Sequence, residues 1–349
     1  MPEKKKPKTI LQKQVAMRRV LLALLPCIAG SVYFFGWRCL AVVAWAAAVG
    51  FLTEYIFTRQ RGTPVTEAVF VTTTLLALVM PPTVPWHVLT VGTVFAVMFA
   101  KEIFGGFGRN IFNPALAGRC FVYVCFPVAL TGTWAPVADG PLGALGQWST
   151  AATTDATTGA TPMAYLKAGK LVLDSGDSAA SQIPFEIPEG DTVAVKSTTL
   201  LKGLVLGRLS GTMGVTSALL IAIGGIYLFY TKTASRTIIL WLIGTYAVLN
   251  QVLYWCGVEP VPGAWPAVLG AGFLFGAFYM ATDPVSSPRT ETARILYAII
   301  IAACTVVIRN FSIFNGGLMF SILIGNMFAP ILDYAVQART AQKKARAAA

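Results

Sequence analysis

The chain has 349 residues, of which 56% are hydrophobic and 12% are charged, and its mean hydropathy is +0.67. Soluble domains usually carry about a quarter of charged residues, so this composition excludes a soluble protein and indicates a polytopic α-helical membrane protein. The net charge of +12 does not indicate a nucleic-acid-binding protein, because Lys and Arg cluster before the first apolar segment and after the last.

Apolar runs recur along nearly the whole chain, and a membrane span needs about 20 mostly apolar residues. The runs predict ten spans, at 20–36, 39–57, 67–80, 86–104, 112–131, 212–230, 237–256, 264–281, 292–308 and 315–335. The basic segment before the first span leads to no convincing cleavage site, so we interpret it as a cytoplasmic anchor rather than a signal peptide.

The distribution of Lys and Arg predicts the orientation of the spans. Both basic termini are expected in the cytoplasm, which requires an even number of spans. The alternation then places six further basic residues inside: Arg59, Arg61, Lys232, Arg236, Arg289 and Arg294. It places a polar segment with seven acidic residues outside. The expected organisation is a basic N-terminus, a first membrane half, an external segment, a second membrane half and a basic tail, at 1–19, 20–131, 132–210, 211–335 and 336–349.

Five spans precede the external segment and five follow it. Each half contains an apolar stretch interrupted by Gly, Asn or Pro, KEIFGGFGRNIFNPALAGR in the first and FGAFYMATDPVSSP in the second. Because five is odd, two such halves would lie in inverted orientation, and broken helices at matching places indicate a site near the membrane midplane. The alternative is that Gly and Pro are simply common in membrane helices.

Polar side chains inside apolar spans are informative, because hydrocarbon penalises them. Asn110 and Asn113 lie in the first break and Asp283 lies in the second, each next to backbone that a following proline favours as extended. They are candidates for binding a planar heterocycle or an ion. Glu102 and Asp333 are further candidates for an ion path. A structural kink, or for Asp333 a solvated helix end, is the alternative.

Metal ligands are not indicated by the cysteines or the histidine. The six cysteines lie in or beside apolar segments and form no CxxC pair, and His87 is the single histidine. We interpret the cysteines as small buried apolar residues.

The polar stretch TTDATTGATPMAYLK begins at Thr153, within the external segment. From Asp155 to Thr161 it has the form D-x-x-[ST]-G-A-T. Gly159 and Pro162 are expected to keep it out of regular helix. The residues alone indicate an exposed loop whose threonine hydroxyls are accessible to an enzyme outside the membrane.

Five blocks of the sequence resemble the RnfD/NqrB family, the flavin-carrying membrane subunits of ion-translocating electron-transfer complexes. They are TEAVFVTTTLLALVMPPTVPWHV, AKEIFGGFGRNIFNPALAGR, DATTGATPMA, YMATDPVSSP and ILIGNMFAPILDY, in the family's order from about residue 65 to 335. The resemblance implies FMN joined to Thr161 through a phosphodiester. It further implies that Asp155, Thr158, Gly159 and Ala160 help a flavin transferase to recognise the loop.

The same resemblance implies a second, non-covalent flavin, riboflavin, at Asn110, Asn113 and Asp283. It implies partner subunits in a bacterial cytoplasmic membrane, translocation of Na⁺ or H⁺, and a chain that is not a complete enzyme alone. One departure is Val215, where family members often carry an acid. The short segment before the first span favours the RnfD type, with NqrB as the alternative. A channel, a secondary transporter without a redox cofactor and a structural scaffold remain the alternatives of other classes.

Overall fold

The computed structural model describes residues 10–138, 140–150, 161–174, 187, 191–270, 272–312, 314 and 316–348. The α-helices are α1 Val15–Phe35, α2 Arg38–Arg61, α3 Ala68–Leu78, α4 Trp86–Val97, α5 Pro114–Cys125, α6 Pro127–Thr131, α7 Pro162–Lys167, α8 Ser197–Leu206, α9 Ala218–Tyr230, α10 Arg236–Trp255, α11 Ala264–Leu269, α12 Phe273–Phe275, α13 Glu291–Phe311 and α14 Gly317–Ala348. Two short parallel pairs join β1 Leu11–Gln12 to β2 Val65–Thr66 and β3 Leu171–Asp174 to β4 Val193–Lys196.

Each predicted apolar span contains at least one helix, and five of the helices are long and apolar enough to cross a membrane: α1, α2, α10, α13 and α14. Helices α3, α5, α8 and α9 are apolar but shorter. The expected class, a polytopic membrane protein that is mostly helical, is therefore confirmed.

The two broken stretches contain π-helical turns. Helix α4 continues into the π-helix Met98–Glu102, and α12 continues into the π-helix Gly276–Met280. After the first of them the chain turns at Gly105, Gly106 and Gly108, whose φ angles are 105°, 94° and 86°. Residues with a side chain rarely adopt such angles, so these glycines allow the backbone to leave the helix here. Both breaks bring irregular backbone among packed helices, where neighbouring groups can satisfy it.

Corresponding helices of the two halves pack in the same way. In the first half α2 contacts α3 and α4, and α4 contacts α5; in the second α10 contacts α13, and α13 contacts α14. Helices α1 and α9 join the halves. Tyr279 strengthens this junction, because its hydroxyl is shared between the Ala23 carbonyl at 3.1 Å and the Ile221 carbonyl at 3.2 Å.

The ion pairs of the described residues lie at one end of the bundle, which we call the charged end. Here α1, α10 and α13 begin, while α2 and the π-helix after α4 end. The pairs are Arg18–Glu67, Arg61–Glu102, Lys101–Glu54 and Arg294–Glu291. At the opposite end, the loop end, residues 140–150 cover the turn between α1 and α2, with Trp37 donating from its backbone to Gln147 and from its indole to Leu145.

The segment between the halves carries structure of its own at the loop end. Strands β3 and β4, helix α8 and Tyr165 of α7 form a small apolar cluster. Lys167 fastens α7 to the end of α13, where its ammonium group donates to the carbonyls of Arg309, at 2.7 Å, and Ser312. The expectation that Pro162 excludes helix is wrong, because proline is well tolerated at the first helical position and Pro162 occupies that position in α7.

Candidate functional site

A cavity of about 180 Å³ opens near the loop end, and we call it the Thr161 cavity. Helices α5, α8, α13 and α14 contribute to its wall, as do residues 210–212 and the turn after α11. Its lining is largely apolar, with Trp134 and Tyr123 among the aromatic residues. The polar side chains that reach it include Thr161, Arg119 and Arg309.

Thr161 stands immediately before α7, in extended conformation with φ −69° and ψ 148°. Its carbonyl accepts from the backbone of Ala164 at 2.8 Å and of Tyr165 at 3.1 Å, which fixes the start of the helix. Its hydroxyl forms no capping bond and no other bond to the described residues. The hydroxyl therefore lies at the cavity without a partner in the described part of the chain. Asp155, Thr158, Gly159 and Ala160 lie outside the described residues.

Two arginines give the Thr161 cavity a positive wall. One guanidinium nitrogen of Arg309 donates to the Tyr246 hydroxyl at 2.8 Å and to the Ala267 carbonyl at 3.0 Å, while its Nη2 is buried without a partner among the described residues. Nε of Arg119 is buried in the same unpartnered state. No acidic side chain occurs among the described residues that line this cavity. Burial and the nearby Arg309 together lower the pKa of Lys167, which strengthens the indication of positive potential here.

Val215, at the position where the family resemblance implies an acid, also lines the Thr161 cavity. Its side chain occupies the space beside Gly272, where an added Cβ would meet Val215 Cγ1 at 2.2 Å. Valine contributes packing but no charge, so the positive charge of the cavity is not neutralised from this position.

A second cavity of about 130 Å³ lies toward the charged end, and we call it the Asn113 cavity. It brings together Asn110, Asn113 and Asp283, three residues that the sequence places in two separate breaks. Asp283 accepts from the Ser286 hydroxyl at 2.8 Å, and Asn110 donates to the Phe112 carbonyl at 3.0 Å. The remaining polar valences of these side chains are available to the cavity.

Asn113 also caps α5. Its side-chain oxygen accepts from the backbone of Ala115 at 3.0 Å and of Leu116 at 3.3 Å, and Pro114 follows at the first helical position. Its extended backbone, with ψ 117°, agrees with the expectation for a residue before proline.

One hydrogen bond links the walls of the two cavities. The Asn113 side chain donates to the Met280 carbonyl at 3.2 Å, where Asn113 lines the one cavity and Met280 lines the other. Asn326 of α14 adds to this contact: in the amide orientation that satisfies its neighbours, it accepts from the Asn113 backbone at 3.0 Å and donates to Tyr297 Oη at 2.8 Å. This polar partition joins the first half of the chain to the second. The sequence reasoning missed Asn326, although a buried amide inside an apolar helix is itself a signal.

Glu102 and Asp333 lie apart from both cavities. Glu102 is 4% exposed and pairs with Arg61 at the end of α2. Asp333 accepts from the backbone of Arg289 at 2.8 Å and of Thr290 at 2.9 Å, and from the Thr290 hydroxyl. These bonds satisfy free donors at the start of α13. Both acids therefore have structural partners where an ion path was expected.

The sequence reasoning also missed a buried polar cluster beside the Asn113 cavity. Lys101 lines this cavity and donates to Glu54 at 2.5 Å and to the Thr66 hydroxyl at 2.9 Å. Glu54 accepts in turn from the backbone of Thr66 at 2.9 Å. Glu54 is the single acid in the predicted second span, and an isolated acid in hydrocarbon is a signal that could have identified it.

The chain is similar over most of its length to subunits of two kinds of redox complex. It is 35% identical to a subunit of the ion-translocating oxidoreductase complex of Alcanivorax borkumensis, over 93% of this chain and 91% of that protein. Identity to the subunit of the same name in Halorhodospira halophila is 32%, over 93% and 90%. Identity to a subunit of the Na(+)-translocating NADH-quinone reductase of Ectopseudomonas mendocina is 34%, over 91% of this chain and 71% of that protein.

The family model described as NQR2, RnfD, RnfE matches residues 7–342. This match contains both cavities and every helix that forms them. The chain therefore belongs to the NQR2, RnfD, RnfE family.

Proposed function

We propose that the chain is the flavin-carrying membrane subunit of a redox-driven ion-translocating complex, with FMN joined to Thr161 by a phosphodiester. The observation that carries the proposal is the position of the Thr161 hydroxyl, unbonded within the described chain, at a cavity with apolar walls and two arginines. A bound flavin supplies reversible acceptance and donation of electrons, and the protein sets its position and potential.

The residues of the Thr161 cavity fit this group. A flavin ring system needs apolar and aromatic surroundings, such as Trp134 and Tyr123 provide. A phosphodiester carries a negative charge, and a guanidinium group binds phosphate oxygens well. Arg119 and Arg309 present such groups, and no described acid in the cavity competes with the phosphate for them.

We further propose that ten segments cross the membrane as two inverted five-helix halves, with both termini in the cytoplasm and the Thr161 segment outside. The matching contacts of α2, α4 and α5 and of α10, α13 and α14 support the two halves. The concentration of Arg and Lys at the charged end supports the orientation, because positive residues favour the cytoplasmic side.

The Asn113 cavity is the proposed place of a second, non-covalent flavin or of the ion path. Asn110, Asn113 and Asp283 converge there at two broken helices, the arrangement in which transporters hold substrates and ions. Amide groups suit a flat heterocycle with hydrogen-bonding edges, and a carboxylate suits Na⁺ or a proton. Glu102 and Asp333 are not part of this proposal, because each has structural partners elsewhere.

Partners complete the activity. The chain is not a complete enzyme alone, and electrons from reduced ferredoxin or NADH would reach it through other subunits. We propose the Rnf type, with the Nqr type as the alternative, since relatives from both kinds of complex match at 35% and 34% identity. Purifying the complex and identifying its subunits and its electron donor decides between the two.

The Thr161 assignment is tested by substitution in the chain expressed with a flavin transferase. Thr161→Ala removes the only hydroxyl of that residue, so we expect complete loss of covalent flavin fluorescence in a denaturing gel. Thr161→Ser keeps a hydroxyl and should retain part of the signal. Thr131→Ala is the matched control, because Thr131 lines the same cavity with a hydroxyl bonded to the Pro127 carbonyl.

Mass analysis of the peptide that contains Thr161 completes this test. An unmodified mass in the wild-type chain, or full fluorescence in Thr161→Ala, contradicts the proposal. A channel or secondary transporter without a redox cofactor would give that unmodified peptide and no fluorescent band.

A further inference from the structure

Two arginines in the Thr161 cavity have more hydrogen-bonding capacity than the described part of the chain uses. Arg119 comes from α5 in the first half and Arg309 from α13 in the second, so two helices distant in sequence bring them to one cavity. Arg119 forms no hydrogen bond or ion pair within the described residues. Nη2 of Arg309, a residue that is 7% exposed, likewise has no partner among them.

Such groups are unusual in a folded protein. A buried charge is normally paired, because removing it from water is unfavourable without a compensating partner. A buried donor that stays unsatisfied indicates an ion or ligand that completes it. The described lining of the cavity offers no carboxylate that could serve. The missing partner is therefore an anion that enters the cavity.

We propose that Arg119 and Arg309 form a clamp that binds the phosphate of the flavin attached at Thr161. This inference rests on the proposed function and adds two positioning residues to it. Thr161 lines the same cavity, so a phosphate bonded to its oxygen is brought into the neighbourhood of both guanidinium groups. A phosphodiester retains two non-bridging oxygens, enough for one charge-assisted bond from each arginine.

The clamp differs in rigidity between its two sides. Arg309 is already held by Tyr246 and Ala267, and its backbone carbonyl accepts from Lys167, at the end of the attachment helix. Arg119 has no such restraint from the described residues. Arg309 therefore provides a fixed point beside α7, whereas Arg119 closes on the phosphate from the facing helix. Together they hold the flavin at a second place besides its covalent bond.

The test uses the full-length Thr161→Ala chain, purified in detergent, so that added FMN can be titrated against an empty site. Arg119→Gln in this background should weaken FMN binding about tenfold, as expected for the loss of one charge-assisted bond. It should leave riboflavin binding unchanged, because riboflavin lacks the phosphate. Arg119 is the preferred variant, since no internal hydrogen bond of the described chain is lost with it.

Arg208→Gln is the matched control. Arg208 lies at the same end of the bundle, is exposed and does not line the cavity, so its loss should leave both affinities unchanged. An FMN affinity that is insensitive to Arg119→Gln overturns the clamp. Equal weakening of FMN and riboflavin also overturns it, because Arg119 would then act on the ring or on the fold.

Lipid phosphate is the other source of the same chemistry. In wild-type protein that carries covalent flavin, the clamp is occupied, so binding of spin-labelled phosphatidylglycerol should not depend on Arg119. Lipid binding that Arg119→Gln abolishes in this loaded protein would assign the arginines to a headgroup and contradict the inference. Failure of the proposed function gives a different result, an absence of covalent flavin in the wild-type chain.

Discussion

Glu54 and Lys101 are an ion pair almost completely removed from solvent, with side-chain exposures of 1% and 2%. Deleting one partner of such a pair leaves a buried charge, which costs about 3–5 kcal/mol. We expect Glu54→Leu to destabilise the chain by about 3 kcal/mol, since Lys101 retains only the Thr66 hydroxyl among the described residues. The free energy of unfolding in mixed micelles, measured by circular dichroism, checks this value.

A double variant isolates the origin of the effect. Glu54→Leu combined with Lys101→Met removes both charges and should recover most of the lost stability. Glu291→Gln is the control, because its carboxylate pairs with Arg294 at the surface with 65% of the side chain exposed, where pairs contribute under about 1 kcal/mol. A double variant as unstable as Glu54→Leu would show that packing, not charge, is responsible.

The sequence predicted some functional residues and not others. Asn110, Asn113 and Asp283 were found because each lies next to proline or glycine in a broken apolar stretch, which marks polar backbone and side chain together. Arg119 and Arg309 were missed, although each is a basic residue inside an apolar helix. Their meaning depends on a shared cavity, and sequence spacing contains no information about that distance.

Close approach between elements is clearest where α1 crosses α9. A Cβ added at Gly224 would lie 1.9 Å from the Ala23 carbonyl oxygen and 2.2 Å from the Tyr279 hydroxyl. Backbone cannot yield as a flexible side chain does, so Gly224→Ala must separate the two helices that join the halves. Small residues at such crossings permit the contact on which helix association in membranes depends.

We expect Gly224→Ala to lower the thermal midpoint of the purified chain and its yield in the membrane. Gly244→Ala is the matched control, since Gly244 lies inside α10 with nothing within 4 Å of an added Cβ. Alanine there should be neutral or stabilising by up to about 1 kcal/mol, because it favours helix. Equal midpoints for the two variants would contradict the tight crossing.

The helices of the membrane halves could be predicted because long apolar runs leave few alternatives. Short elements of the segment between the halves could not. Pro162 was expected to prevent helix, yet it begins α7. Strands β3 and β4 pair although a long stretch separates them, and α8 lies in a segment that was expected to be polar. Such elements are stabilised by their contacts with each other, which local composition does not reveal.

The two ends of the molecule should lie on opposite sides of the membrane. Cys256 follows α10 at the loop end and is exposed, so a chain retaining only this cysteine should react with an impermeant maleimide in intact spheroplasts. Ala345→Cys, in the exposed last turns of α14, should react only in inverted vesicles in a chain without other cysteines. The same pattern of labelling for both positions would contradict the proposed orientation.

At the scale of the whole chain, hydropathy and charge predicted the number and order of the apolar segments. They did not predict how the segment between the halves attaches. Lys167 contacts Arg309 across 142 positions of sequence. A contact of this kind arises from the packing of complete halves, and no local pattern of residues specifies it.

The hydrogen bond from Asn113 to the Met280 carbonyl belongs to both cavities at once. A ligand in one cavity that displaces this bond also changes the shape of the other. Thermodynamic linkage then requires reciprocity: if the first ligand alters the affinity of the second by some factor, the second alters that of the first by the same factor. Each flavin or ion would thus sense, through a single amide, whether the neighbouring chamber is filled.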